Sequence, residues 1–93
     1  FKQKTAYEMR NGSGKLYDAF HTLRFEGTFK NGKKDGFGKQ YNENGKLEYE
    51  GYFQLDKKHG FGKLYASDGE TVYFQGEFRE DKTFSQYLND LTD

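Results

Sequence analysis

The residues whose types and spacing could do chemistry fall into four sets. A glycine pair followed by lysine occurs three times, as Gly12-Ser13-Gly14-Lys15, Gly36-Phe37-Gly38-Lys39 and Gly60-Phe61-Gly62-Lys63. Such a run can cradle a phosphate when it opens a helix and a Gly-Lys-Ser/Thr sequence follows. Neither condition is met, because the flanking residues alternate as a strand does, so these glycines are expected to be structural. His21 and His59 stand 38 residues apart with no cysteine and no clustered carboxylates, a poor basis for a metal site. The carboxylates are numerous, but most are expected to face lysine or solvent on strand surfaces, and no pair is marked for acid–base work. The fourth set is basic: Lys30, Lys33 and Lys34, then Lys57, Lys58 and His59, with Arg79 and Lys82 beyond. Clustered lysines can hold anionic head groups, at about 1 kcal/mol each near a charged membrane. They can also simply keep strand edges soluble and unpaired. No catalytic residue, cofactor site or metal ligand is expected, and the chain is not expected to be an enzyme.

What must position these residues is unusual in composition. Apolar residues make up 32% of the 93, and the mean hydropathy of −1.18 suggests disorder. The aromatic content argues against it: ten Phe and eight Tyr, 19% of the chain. Burial must come from rings rather than from a thick aliphatic core. The absence of proline leaves strand pairing unobstructed. Fifteen basic residues balance fifteen acidic ones, so no global charge favours nucleic acid, which is not an expected partner. No disulfide framework or thiol chemistry is available without cysteine. No targeting or transmembrane pattern is visible, and the compartment is not readable. The first residue is Phe1 rather than Met, from which a fragment of a larger protein is expected.

Glycines reveal the organisation. Gly12, Gly36 and Gly60 are 24 apart, as are Gly14, Gly38 and Gly62; Lys15, Lys39, Lys63 and Tyr17, Tyr41, Tyr65 keep the same step. Phe25, Gly27 and Phe29 return as Tyr49, Gly51 and Phe53, then as Phe74, Gly76 and Phe78 with one residue added. Alternation around glycine-rich turns means hairpins. Two-residue type I′ turns are expected at Asn31-Gly32 and Asn44-Gly45. They would set Phe25 opposite Gly38, Gly27 opposite Gly36, Phe29 opposite Lys34, Gly38 opposite Gly51 and Gly36 opposite Phe53. On the other face Lys15 meets Glu26, Lys39 meets Glu50 and Phe37 meets Tyr52. The extra residue before Phe74 calls for a three-residue loop at Asp68-Gly69-Glu70 with Gly69 left-handed. One face then becomes a lattice of rings over side-chain-free positions: Phe25, Gly27, Phe29, Gly36, Gly38, Tyr49, Gly51, Phe53, Gly60, Gly62, Phe74, Gly76 and Phe78. The expected fold is all-β, an elongated single-layer antiparallel sheet of consecutive hairpins. It divides into a degenerate N-terminal hairpin at 1–24, with Phe1, Gln3 and Thr5 in the first-strand positions, then repeats at 25–48 and 49–73, and a partial repeat and cap at 74–93. Ser85 and Tyr87 stand where Gly-x-Gly should recur. That segment either completes a hairpin or forms a short helix capped by Ser85, with Leu88 and Leu91 turned inward.

Phe25-Glu26-Gly27-Thr28-Phe29-Lys30-Asn31-Gly32 with Gly36-Phe37-Gly38, and Tyr49-Glu50-Gly51-Tyr52-Phe53 with Gly60-Phe61-Gly62, resemble the MORN repeat (membrane occupation and recognition nexus). The likeness spans about residues 1–82. It departs at Phe29, Phe53 and Phe78, where the family often has Trp, and at Leu55-Asp56 in place of Asn-Gly. The resemblance implies a twisted single-layer sheet without catalytic residues of its own, found in scaffolds and at membrane contacts, with phospholipid binding and protein association as proposed roles.

The expected function is therefore a protein-interaction, spacer or scaffold module whose partner is another protein or the rest of its own chain. The alternative is peripheral binding of anionic phospholipid through Lys30, Lys33, Lys34, Lys57 and Lys58. The ring face could accept a peptide or pack upon itself. Terminal strands could continue edge to edge into a homo-oligomer. Glu70-Thr71-Val72-Tyr73-Phe74-Gln75-Gly76 resembles a protease-cleavage tag, but Phe74 and Gly76 already belong to the repeat.

Overall fold

A computed structural model describes residues 11–92. The expectation for Phe1, Gln3 and Thr5 lies outside them. Seven strands follow one another in a single antiparallel sheet in chain order: β1 Asn11–Tyr17, β2 Leu23–Lys30, β3 Lys33–Tyr41, β4 Leu47–Gln54, β5 Lys57–Tyr65, β6 Val72–Arg79 and β7 Lys82–Thr83. A helix, α1, covers Phe84–Leu91. The principal extents are 47 × 31 × 20 Å. Among the described residues no second layer covers the sheet, so its rings must find partners along the sheet itself.

Two kinds of turn alternate. The tips are tight, with positive φ at both central residues: Asn31 and Gly32 (53°, 81°), Leu55 and Asp56 (51°, 71°), Glu80 and Asp81 (52°, 71°). These are type I′ values, whose twist matches that of the strands. The joints on the other side are wider. The Asp18 N–H donates to the Thr22 carbonyl, and the Asn42 N–H to that of Lys46. In each joint an Asp or Asn oxygen accepts backbone N–H groups: Asp18 from Phe20 and Thr22, Asn42 from Asn44 and Lys46. Asn44-Gly45 is thus not the two-residue type I′ turn expected. Only Gly45 has positive φ, because the Asn42 side chain offers the backbone a longer route. The strand register expected beyond it survives, with Gly38 opposite Gly51 and Gly36 opposite Phe53. At the third joint Gly69 is left-handed (φ 75°) as expected, but the loop closes from Ala66 to Thr71, one residue longer than anticipated.

The tip register is corrected in the same way. Phe29 faces Lys34, yet Gly27 faces Gly38 and Phe25 faces Gln40. Asp35, Gly36 and Phe37 together lie opposite the single residue Thr28, and the break recurs between Gly51 and Phe53 in the next pair. Gly36 and Gly60 belong to these bulges. Their φ values of 94° and 99° suit glycine, and an added Cβ would meet Thr28 Oγ1 (2.5 Å) and Tyr52 Cβ (3.4 Å), not the rings expected there. The bulge shifts register by two residues, so every side chain keeps its face. Parity arguments could not detect it.

At the C-terminus the chain turns helical. Thr83, not Ser85, is the N-cap, its hydroxyl accepting from the Gln86 N–H (3.3 Å). Leu88 and Leu91 stay exposed instead of turning inward. The helix is tethered by Phe84 and Tyr87, which stack on each other, with the Arg79 guanidinium 5.5 and 5.4 Å from their centroids. Lys82 pairs with Asp90.

Candidate functional site

The register aligns six glycines in one row across six strands: Gly14, Gly27, Gly38, Gly51, Gly62 and Gly76. Rings lie on this row. A Cβ on Gly38 would come 2.6 Å from Phe25 Cε1, and one on Gly27 would come 2.9 Å from Phe25 Cζ. Tyr49 covers Gly51 and Gly62 in the same manner, and Phe74 covers Gly76. Phe25 and Tyr49 therefore each occupy the space of two missing side chains.

The rings then satisfy one another. Phe29, Phe25, Phe53, Tyr49, Phe78 and Phe74 form one chain of edge-to-face contacts with centroids 5.1–5.5 Å apart. Each such contact contributes about 0.5–1.5 kcal/mol beyond the area buried. Phe25, Phe29, Tyr49, Phe53 and Phe78 are buried, with Leu16, Leu64 and Phe74 packed at their margins. The Tyr49 hydroxyl donates to the Tyr52 carbonyl (2.9 Å). Burial, with the Asp81 charge, pushes that phenol up to about 12. This face packs upon itself.

The lysines of the tips separate into two groups. Lys34 Nζ lies 4.8 Å from the Phe25 centroid and 5.7 Å from that of Phe53, and Lys58 Nζ lies 5.4 Å from that of Tyr49. Burial holds the Lys34 ammonium below the usual lysine range, while Asp56 acts the other way. These two lysines lid the ring stack. Lys57 pairs with Glu80 (3.1 Å), and Lys30 and Lys33 remain exposed. Sequence reasoning missed the role of Asp56 and Asp81. The Asp56 Oδ1 accepts from the Lys34 N–H (2.8 Å) while its own N–H donates to the Lys34 carbonyl (3.0 Å), and Asp81 repeats both bonds with Lys58. Each tip is buttoned to the strand before it. The signal was present as Asp-Lys at 56–57 and 81–82, one repeat apart. The tip edge accordingly mixes Asp56, Glu80, Asp81 and Asp90 with its lysines. On the joint edge, Thr71 side-chain and backbone donors hold the Asp68 carboxyl down to about 2.

The reverse face carries a row of charge and a row of rings. Lys15, Glu26, Lys39, Glu50 and Lys63 alternate across five strands. Tyr65 donates to Glu50 (2.8 Å), a bond that raises its phenol; Tyr41, raised first by burial, donates to Glu26 (3.3 Å). Beside this ladder run Phe37, Tyr52 and Phe61, on three adjacent strands, with exposures of 45%, 50% and 58%. Phe37 and Tyr52 meet edge to face at 5.5 Å. These three rings form an open apolar ridge on this face. His59 sits in the β5 bulge far along the chain from His21, and no group of three or more His, Cys, Asp or Glu among the described residues could hold a metal ion.

Against models of known protein families, the MORN repeat matches twice, at residues 25–46 and 49–71. No curated protein matches the chain.

Proposed function

The chain belongs to the MORN-repeat family, and from that premise we propose that it is a non-enzymatic protein-interaction and spacer module whose contact surface is the reverse-face ridge of Phe37, Tyr52 and Phe61. The repeat itself is a non-catalytic unit associated with protein or membrane interaction. The observation that carries the reading is the division of rings between the faces. Five rings are buried against glycine and one another, while three stay half exposed in a line beside alternating Lys and Glu. Exposed rings bordered by charges of both signs suit a protein surface, which supplies apolar contact and complementary ion pairs together. A phospholipid surface is less well served, because Lys34 and Lys58 lie over rings, Lys57 is paired and acidic residues share the tips.

The test pairs two assays. Liposomes containing anionic lipid, sedimented at low and at high salt, are expected to leave the chain in the supernatant at both. The triple variant Phe37→Ser/Tyr52→Ser/Phe61→Ser is expected to keep the thermal midpoint within a few degrees and to lose protein partners that the parent captures. Salt-sensitive sedimentation abolished by Lys30→Glu/Lys33→Glu would replace this reading with the lipid one.

A further inference from the structure

The ring-over-glycine lattice stops half-way through its last unit. Phe25 of β2 covers its own Gly27 and Gly38 of the next strand, and Tyr49 of β4 covers Gly51 and Gly62 of β5. Phe74 of β6 covers Gly76 alone, because β7 pairs only at Phe78–Thr83 and Arg79–Lys82. Beyond Thr83 the chain leaves the sheet as α1. Its Ser85 and Tyr87 occupy the Gly-x-Gly positions of the repeat, and a side chain at the second of these, that of Tyr87, would collide with the Phe74 ring as a Cβ on Gly38 would with Phe25. The described residues do not complete the sheet. Among the described residues, the outer edge of β6 from Val72 to Glu77 has backbone partners on one side only. Val72, Tyr73, Gln75 and Glu77 along it are exposed.

We propose that this edge is a strand-addition site for an extended segment of a partner protein that places glycine opposite Gly76. The partner's chemistry follows from the two interfaces already built, of which this would be the third. In both, glycine faces glycine beneath the ring, at Gly27–Gly38 and Gly51–Gly62. In both, the tyrosine three residues on donates to the glutamate before the facing glycine, Tyr41 to Glu26 and Tyr65 to Glu50. Gln75 takes the place of that glutamate, so an aromatic hydroxyl finds a neutral acceptor and the lysine of the repeat is not required. The segment read by this edge is Gly-x-x-aromatic in extended form. Main-chain hydrogen bonds supply the affinity, and the shelf under Phe74 selects against any residue bearing a Cβ.

This inference rests on the interaction-module reading but uses a different surface, so the two fail separately. A fluorescent peptide with the sequence of residues 59–65 serves as the probe, titrated against the full chain by anisotropy. Saturable binding is expected, weakened at least roughly tenfold, or 1.4 kcal/mol, when the peptide carries Gly62→Val, and again when the amides facing β6 are N-methylated. Both changes are made in the peptide, so no folding defect of the protein can imitate them. Phe74→Ala in the protein should weaken binding as well, and amide shifts in NMR should concentrate on residues 72–77. Absence of binding up to about 1 mM peptide, a loose limit for strand addition, overturns the proposal. So does equal binding of the Gly62→Val peptide, which would leave the Phe74 shelf without a role. Self-association of the chain that the peptide disperses would assign the edge to a second copy and overturn a foreign partner. Capture unchanged in the Phe37→Ser/Tyr52→Ser/Phe61→Ser variant, with peptide binding intact, would remove the ridge reading alone.

Discussion

Glycine at Gly38 and Gly62 is required by space, whereas at Gly36 and Gly60 it is required by backbone angle. Gly38 and Gly62 lie flat under rings, where even one methyl has no room; Gly36 and Gly60 sit in bulges at positive φ. Gly38→Val should therefore drive Phe25 out of the ring chain and destabilise the sheet by about 1–3 kcal/mol, in the manner of an overpacked core. Urea unfolding followed by tyrosine fluorescence measures it, and an unchanged midpoint would contradict the packing described. The ring positions Phe25, Phe29, Tyr49, Phe53 and Phe78, and the role of Gly38 and Gly62, were legible in the repeat because a glycine inside a strand needs a neighbour to explain it. The fate of Lys34 and Lys58 was not. A lysine at a tip looks solvated in the sequence, and only the neighbouring ribbon brings an aromatic face beneath its ammonium.

At the scale of the element, the second tip concentrates the compromise. Leu55 is 65% exposed and held at φ 51°, a left-handed angle that costs an ordinary L-residue roughly 1–2 kcal/mol. Its neighbour cannot be exchanged for the usual glycine without losing the carboxylate that accepts from the Lys34 N–H. Leu55→Asn alone, which relieves the angle and leaves Asp56 in place, is expected to stabilise the chain by about 1 kcal/mol. A calorimetric midpoint that rises by a few degrees meets this expectation; one that falls would mean that Leu55 makes apolar contacts worth more than its strain. The same element shows how far turn chemistry could be read. Asn31-Gly32 announced a type I′ turn and forms one, while Asn44-Gly45 announced another and was overruled by Asn42 two residues earlier. A short polar side chain competes for the same backbone donors, and the dipeptide does not record it.

Among the described residues every strand pairs only with its sequence neighbours, and no second layer ties distant strands together. Stability then accumulates by nearest-neighbour terms, as in other repeat architectures. Amide exchange should be slowest in β3, β4 and β5, which have ringed neighbours on both sides, and faster by at least about tenfold in β1 and α1. A flat profile would show that the continuous ring chain couples the sheet into one cooperative unit. Within this frame the reverse-face ridge and the β6 edge are the two surfaces proposed for contact with partners. Both exist because a single sheet has two faces and two ends, and its own rings close one face only.

The periodicity alone determined the class of fold, the strand order and the face on which each ring lies. These follow from side-chain alternation and from glycine spacing, which are local properties carried by a step of 24 or 25 residues. Tertiary structure decided the two-residue bulges, the buttoning of tips by Asp56 and Asp81, the inward turn of Lys34 and Lys58, and the helical exit at Thr83. Each depends on what the adjacent ribbon offers as a partner, and a repeat pattern says where that ribbon lies without saying which of its donors are already taken.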